Sequence, residues 1–341
     1  MDSAAAPGRT IARVTIAREI GRSPSSTVYA GFHAGLQRTV AIKIVPKVHG
    51  AGRLLAEATR NVVSLSHPNI VPLFEAGEAR EFRYQIMGLI EGETLRTIIK
   101  RRLASTTFSL SLIPLRETVK ITDAILDALS YAHGKGIVHL DVKPSNIIID
   151  RSGIPFLLDF GLALPMANVP ACKGVVVGSA LYMSPEQASA GKLDGRSDIY
   201  AMGVVLFEMA AGILPVAPVS AEEIIQCKRV APDSFFTVKP SEASPLISEA
   251  LERVILKATA SRPGDRYQVC AQFKRDLDKC AKNKGDNQCP IPPLQIPASP
   301  RDPGSSSFFL SSSVRFSLSP ASAPCIFSIG TKRISPSRRV K

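Results

Sequence analysis

Residues 137 to 161, IVHLDVKPSNIIIDRSGIPFLLDFG, constrain this chain more than any other stretch. Two short apolar runs, Ile147 to Ile149 and Pro155 to Leu158, flank an Asp-Arg-Ser-Gly turn. Runs of that length around such a turn predict two paired β-strands. The hairpin gathers the polar groups of His139, Asp141, Lys143, Asn146 and Asp159 at one edge of a small sheet.

The chemistry such a set can share is phosphoryl transfer. That reaction needs a carboxylate to orient an attacking hydroxyl and accept its proton, a cation near the moving group, and hard oxygen ligands for magnesium. Asp141 suits the first role, Lys143 the second, and Asn146 with Asp159 the third. The bland alternative is a loop with capping residues. The spacing speaks for the site: Asn146 lies five positions after Asp141, and Asp159-Phe160-Gly161 follows at hairpin distance.

In these motifs, and in several others in the same order, the chain resembles the serine/threonine protein kinases, in particular the bacterial eukaryotic-like (Hanks-type) family. The resemblance implies an α+β, two-lobed fold with a β-rich N-lobe and a helical C-lobe. It places a short N-terminal tail at 1–10 and the kinase domain at 11–280, with N-lobe 11–87, hinge 88–92 and C-lobe 93–280. Residues 281–341 are left as a Pro/Ser/basic tail that reads as disordered.

A chain of 341 residues, 45% hydrophobic and 21% charged, is long enough for such a unit and is not mostly disordered. Its six cysteines lie without a CxxC pair or nearby histidines, which suggests neither a zinc site nor a disulfide framework and fits a reducing, cytoplasmic setting. No apolar run reaches the roughly 18 residues a membrane span requires. Residues 199–217 come closest, and Glu208 in their middle marks a buried helix instead.

On the nucleotide side, residues 11–45 read as three strands joined by turns. Gly21, Ser23, Ser26 and Val28 stand at the positions of the family's glycine-rich loop, of whose glycines only the first, Gly21, is kept. Serines there, with Pro24, imply a stiffer and weaker lid on ATP; read alone the segment is a plain hairpin. Lys43 closes the apolar strand Val40-Ala41-Ile42, where a charge needs a partner or a ligand. By resemblance it holds the ATP phosphates and pairs with Glu57, the only acidic residue between Lys43 and Glu75. Glu57 stands ten residues before His67 where the family has nine, a rotation of about 100° on a helix. Ala41, Met87, Leu89 and Glu91 complete the ATP-binding set, with Met87 as gatekeeper and Glu91 near the ribose.

The resemblance also assigns support. His139 packs the catalytic loop against Phe160 and Gly161 rather than serving as a base. Ser179 bridges Asp141 and Lys143. Glu186, in Ser184-Pro185-Glu186, needs a buried cation, and Arg266 stands where the family supplies one. Asp198 holds the catalytic loop from below through its backbone amides.

Two departures go together. Leu140 replaces the arginine that usually precedes the catalytic aspartate, and residues 162–178 contain no Ser, Thr or Tyr to carry a phosphate. A phosphate and its receiving cation are useful only as a pair, so their joint loss implies activity without phosphorylation of this segment.

Residues 281–341 carry nine Lys or Arg against Asp286 and Asp302, which is seven of the chain's thirteen net positive charges. A solvated tail or contact with nucleic acid or an anionic surface both fit. Ser299, Ser319 and Ser335 each precede proline there and are candidates for autophosphorylation. The reading is a protein kinase using ATP and Mg2+ (or Mn2+) on Ser/Thr of protein substrates. A pseudokinase or ATP-binding scaffold is the alternative, and a small-molecule phosphotransferase the third.

Overall fold

The computed structural model describes residues 7–24, 26–47, 63–104, 112–160, 164–165, 180–216 and 220–282. Every described residue belongs to one compact unit within Met1–Ala298.

Strands β1 (Thr10–Ile11), β2 (Val14–Ser23), β3 (Ser26–His33), β4 (Arg38–Pro46), β5 (Leu73–Glu78) and β6 (Phe82–Gly88) form one antiparallel sheet in the order β1-β2-β3-β4-β6-β5. Alternation decides its two faces. Val14, Ile16, Val40, Ile42, Ile44 and Ile86 bury one face as the N-lobe core. Residues out of phase with them point the other way. On β4 these are Ala41 and Lys43; across the ladder Lys43 opposes Val28 on β3 and Ala41 opposes Met87 on β6. Two adjacent rows of one face therefore carry Val28, Ala41, Lys43 and Met87.

The chain leaves this sheet through residues 89–91 and enters β7 (Gly92–Thr94), which pairs with the hairpin of the central stretch. A Cβ on Gly92 would stand 2.0 Å from the Ile149 carbonyl oxygen, so only glycine lets the two backbones meet. Helix α1 (Leu95–Leu103) follows, and then α2 (Leu115–Gly134), which buries Val119, Ile121, Ile125, Leu126 and Leu129 as its periodicity requires. It delivers the chain to β8 (Ile137–Val138) and to the hairpin itself, β9 (Ile147–Asp150) and β10 (Pro155–Leu157), with Ile149 opposite Pro155. The backbone of β11 (Leu164–Pro165) returns beside β8.

The C-lobe core forms around α4 (Gly195–Ala211), which follows the short α3 (Pro185–Ala188). From Ser197 to Phe207 every residue of α4 is buried, so it is a helix surrounded by protein and not a span of a membrane. It starts earlier than the apolar run beginning at Ile199 because the Asp194 side chain caps it, accepting from the Arg196 amide. Gly212, at φ +83°, closes it. Around it lie α5 (Ala221–Val230), α6 (Pro240–Ala243), α7 (Glu249–Ala258) and α8 (Cys270–Lys282). Among the described residues no helix is long and apolar enough to cross a membrane.

Candidate active site

The hairpin and the loop before it bring the polar set together. Both Asp141 oxygens accept from Lys143 Nζ, at 2.8 and 2.7 Å. Asn146 Nδ2 donates to Asp141 Oδ2 and to the Asp141 carbonyl, both at 2.9 Å, so the five-residue spacing closes a small ring around the carboxylate. The turn Pro144–Asn146 is a single 3-10 turn, which is what swings Asn146 back beneath Asp141.

His139 is fully buried. Its Nδ1 accepts from the Asp141 amide at 3.2 Å, so Nε2, 2.9 Å from the Leu158 carbonyl, carries the proton. With both nitrogens engaged the ring has no lone pair for a substrate. Its ring meets Phe160 edge-on at 4.5 Å between centroids. Asp198, also fully buried, grips the same loop from below: Oδ2 accepts from the His139 amide at 2.8 Å and Oδ1 from the Leu140 amide at 2.7 Å.

Opposite Asp141 stands Asp159, in the left-handed region at φ +65°. Its Oδ2 is ion-paired with Lys43 Nζ, which joins the N-lobe sheet to the end of the hairpin. Burial alone would raise this carboxyl, but the charge and hydrogen bond of Lys43 outweigh it and hold Asp159 below the usual carboxylate range. The other oxygen, Oδ1, is buried without a hydrogen-bond partner among the described residues. A buried orphan carboxylate oxygen is a hard donor, and it fits a hard divalent cation. With its nitrogen turned to Asp141, Asn146 has its amide oxygen as the end suited to such an ion.

At the lobe junction Leu89 is half-buried, and Glu91 is exposed and 3.2 Å from Arg151 of the hairpin turn, so it meets a cation of the protein. Gly21 opposes Val28 across β2 and β3. At the tip Ser23 and Ser26 face each other, their hydroxyls 2.9 Å apart, and Ser23 Oγ also accepts from the Ser26 amide at 3.0 Å. The two serines thus bind each other across the turn. Glu57, Gly161, Ser179 and the tail serines 299, 319 and 335 lie outside the described residues.

Glu186 and Arg266 form a bidentate pair, at 2.7 and 2.8 Å, and the arginine side chain is fully buried. Arg266 spends its other donors on the carbonyls of Ala260, Ser261 and Arg196 and lies over the Tyr200 ring. Burial would raise the Glu186 carboxyl; the guanidinium and the Ser197 hydroxyl, 2.7 Å away, hold it low.

Three supporting residues were not singled out from sequence. His133 donates to Asp198 at 2.8 Å, and although burial opposes its charge, Asp198 raises it to about 10. Gln187 Nε2 donates to the Leu140 carbonyl at 3.0 Å. Lys228, fully buried, donates to the carbonyls of Leu181 and Met183 at 2.6 and 2.5 Å. Lys228 had a signal, since it falls four residues after Ile224 and seven after Ala221 on the buried stripe of α5.

The protein kinase domain family matches residues 14–276 of this chain. Among curated proteins, serine/threonine-protein kinase PrkC of Bacillus subtilis is 35% identical over 274 residues, covering 79% of this chain and 40% of that protein. Serine/threonine-protein kinase PknB of Mycobacterium tuberculosis is 33% identical over 288 residues, covering 80% and 43%. Among solved structures, the Mycobacterium tuberculosis PknI kinase domain superposes with a TM-score of 0.64 at 26% identity, covering 80% of this chain and 98% of that one. The chain belongs to the protein kinase family, in its bacterial serine/threonine (Hanks-type) branch. It spans about two fifths of the length of the curated relatives it matches.

Proposed function

We propose that this chain transfers the γ-phosphate of ATP, with a divalent metal, to Ser or Thr hydroxyls of proteins. The observation that carries the reading is the pairing of two carboxylates with opposite surroundings. Asp141 is held by Lys143 and Asn146, and Asp159 is charged, tied to Lys43 and left with one oxygen unpartnered among the described residues. Asp141 then orients the acceptor hydroxyl and takes its proton, and Lys143 lies beside the developing charge. Lys43 holds phosphate oxygens from the sheet face that also carries Val28, Ala41 and Met87. Asn146 and Asp159 would hold the metal, which would supply positive charge to offset that of the phosphates.

The domain limits 11–280, with the hinge at 88–92, and Ser/Thr rather than Tyr specificity belong to the same proposal. So does autophosphorylation of Ser299, Ser319 or Ser335. Activity without a phosphate on residues 162–178 rests on two sequence facts: Leu140 in place of a cation, and no hydroxyl in the segment. Incubation with Mg-ATP followed by intact-mass measurement tests the reading. Phosphate should add to the wild type and not to Asp141→Asn, and phosphatase treatment beforehand should leave the initial rate on a protein substrate unchanged. Nucleotide binding without any transfer would favour a pseudokinase, for which the Ser23–Ser26 contact in the lid is the supporting observation.

A further inference from the structure

Leu140 lies in the left-handed region at φ +64°, a conformation that a leucine keeps only when its surroundings impose it. The peptide plane joining Leu140 to Asp141 is gripped at both ends. Its N–H, on Asp141, goes to His139 Nδ1, and its carbonyl, on Leu140, accepts from Gln187 Nε2. The Leu140 amide on the preceding plane goes to Asp198. His139 and Asp198 belong to the loop and to the helix beneath it. Gln187 comes from α3, at the far end of the segment that follows residues 162–178.

Gln187 is itself fixed. It is buried, and its Oε1 accepts from the Ser184 amide at 3.0 Å and from the Ser184 hydroxyl at 3.1 Å, leaving Nε2 aimed at Leu140. The stretch that leads into α3 is held in turn from α5. Lys228 ties down the carbonyls of Leu181 and Met183, with its Nζ 4.0 Å from the Phe235 ring centroid, and Arg229 donates to the Ala188 carbonyl at 3.1 Å. Burial pushes the Lys228 amine well below the usual lysine range, and its two N–H donors to main-chain carbonyls give the segment a fixed position without any phosphate.

We propose that Gln187 is a positioning residue for Asp141, and that Lys228 anchors the segment through which it acts, so that the catalytic loop is set through the main chain of residue 140 in place of a side-chain cation and phosphate. The proposal rests on Asp141 being the acting carboxylate. Its alternative is that Gln187 serves only as the third residue of the capping box of α3, a role that glutamate fills equally well.

Gln187→Glu separates the two. It keeps the acceptor for Ser184 and cannot donate to the Leu140 carbonyl. The expected result is a fall in kcat of at least about tenfold with KM for ATP within about twofold, since a donor is lost and an acceptor is left facing a carbonyl. Gln187→Met, similar in length and apolar, serves if the glutamate variant does not fold. Lys228→Met should lower kcat in the same sense, and the double variant should lose no more than the worse single, because the two contacts act in series. Hydrogen exchange supplies a readout independent of turnover: the Asp141 amide should exchange faster in Gln187→Glu while the Leu157 amide does not change. A wild type that transfers no phosphate would overturn the functional reading, and the exchange result would still decide the positioning role. Unchanged kcat in Gln187→Glu with unchanged exchange at Asp141 would overturn the proposal, as would losses in the double variant that simply multiply.

Discussion

Replacing Arg266 by methionine should be the most damaging single change away from the site, and its size follows from the contacts. The guanidinium is fully buried, is bidentate to Glu186, and satisfies the carbonyls of Ala260, Ser261 and Arg196. Methionine keeps most of the volume over Tyr200, so the cost is electrostatic. Breaking a buried pair by removing one partner costs about 3–5 kcal/mol, because the other charge is left uncompensated. Ser197 still donates to Glu186, and the carboxyl can take up a proton, which keeps the loss inside that range. For a domain of this size about 1 kcal/mol corresponds to roughly 2–4 °C, so the melting temperature should fall by about 6–20 °C. Glu186→Gln should cost less, since Arg266 retains its carbonyl acceptors, and the double variant should recover part of the Arg266→Met loss. The sign with pH also differs. In the wild type Glu186 is held low, so its contribution is present above the unfolded pKa and is lost as pH falls through the folded one. In Arg266→Met the unpaired carboxyl is raised by burial, and the deficit should shrink on acidification. Calorimetry of the three variants at two pH values measures this. A loss below about 1 kcal/mol in Arg266→Met, or a double variant as poor as the sum of the singles, would refute the buried-pair account.

His133 offers a second pH test: its folded pKa of about 10 exceeds the unfolded value of about 6.5, so its pairing with Asp198 stabilises fully below pH 6.5 and is lost as pH rises toward 10. Urea midpoints should decline over that window in the wild type and decline less in His133→Gln; equal slopes would remove His133 from the account. Lys43→Met and Asp159→Asn should each cut the transfer rate by about 10²-fold or more with circular dichroism unchanged, and near wild-type transfer in Asp159→Asn would end the metal assignment. Truncation after residue 285 should shift the melting temperature of the remaining chain by no more than about 2 °C, which a thermal scan checks; a large drop would mean that the tail packs on the domain.

Local chemistry made much of this protein legible. The hairpin followed from two apolar runs and a turn, and a lysine closing an apolar strand already marked Lys43 as a charge that needs a partner. The cost of burying a charge alone said that Glu186 needs a cation, and the family resemblance pointed to Arg266. These are arguments about one residue and its neighbours in sequence, or about a charge that must have a partner. What tertiary structure decided was which groups converge from distant elements. Asp159 was read as a metal ligand, and only the packing of sheet against hairpin put Lys43 on its other oxygen. Gln187 carried no sequence signal, and Lys228 was one among 42 basic residues, until α3 and α5 were brought against the catalytic loop and the segment beside it. The physical reason is that main-chain carbonyls carry no sequence signature. A side chain that binds a carbonyl 47 residues away, as both Gln187 and Lys228 do, leaves no trace in spacing or composition, and the fold alone selects its partner.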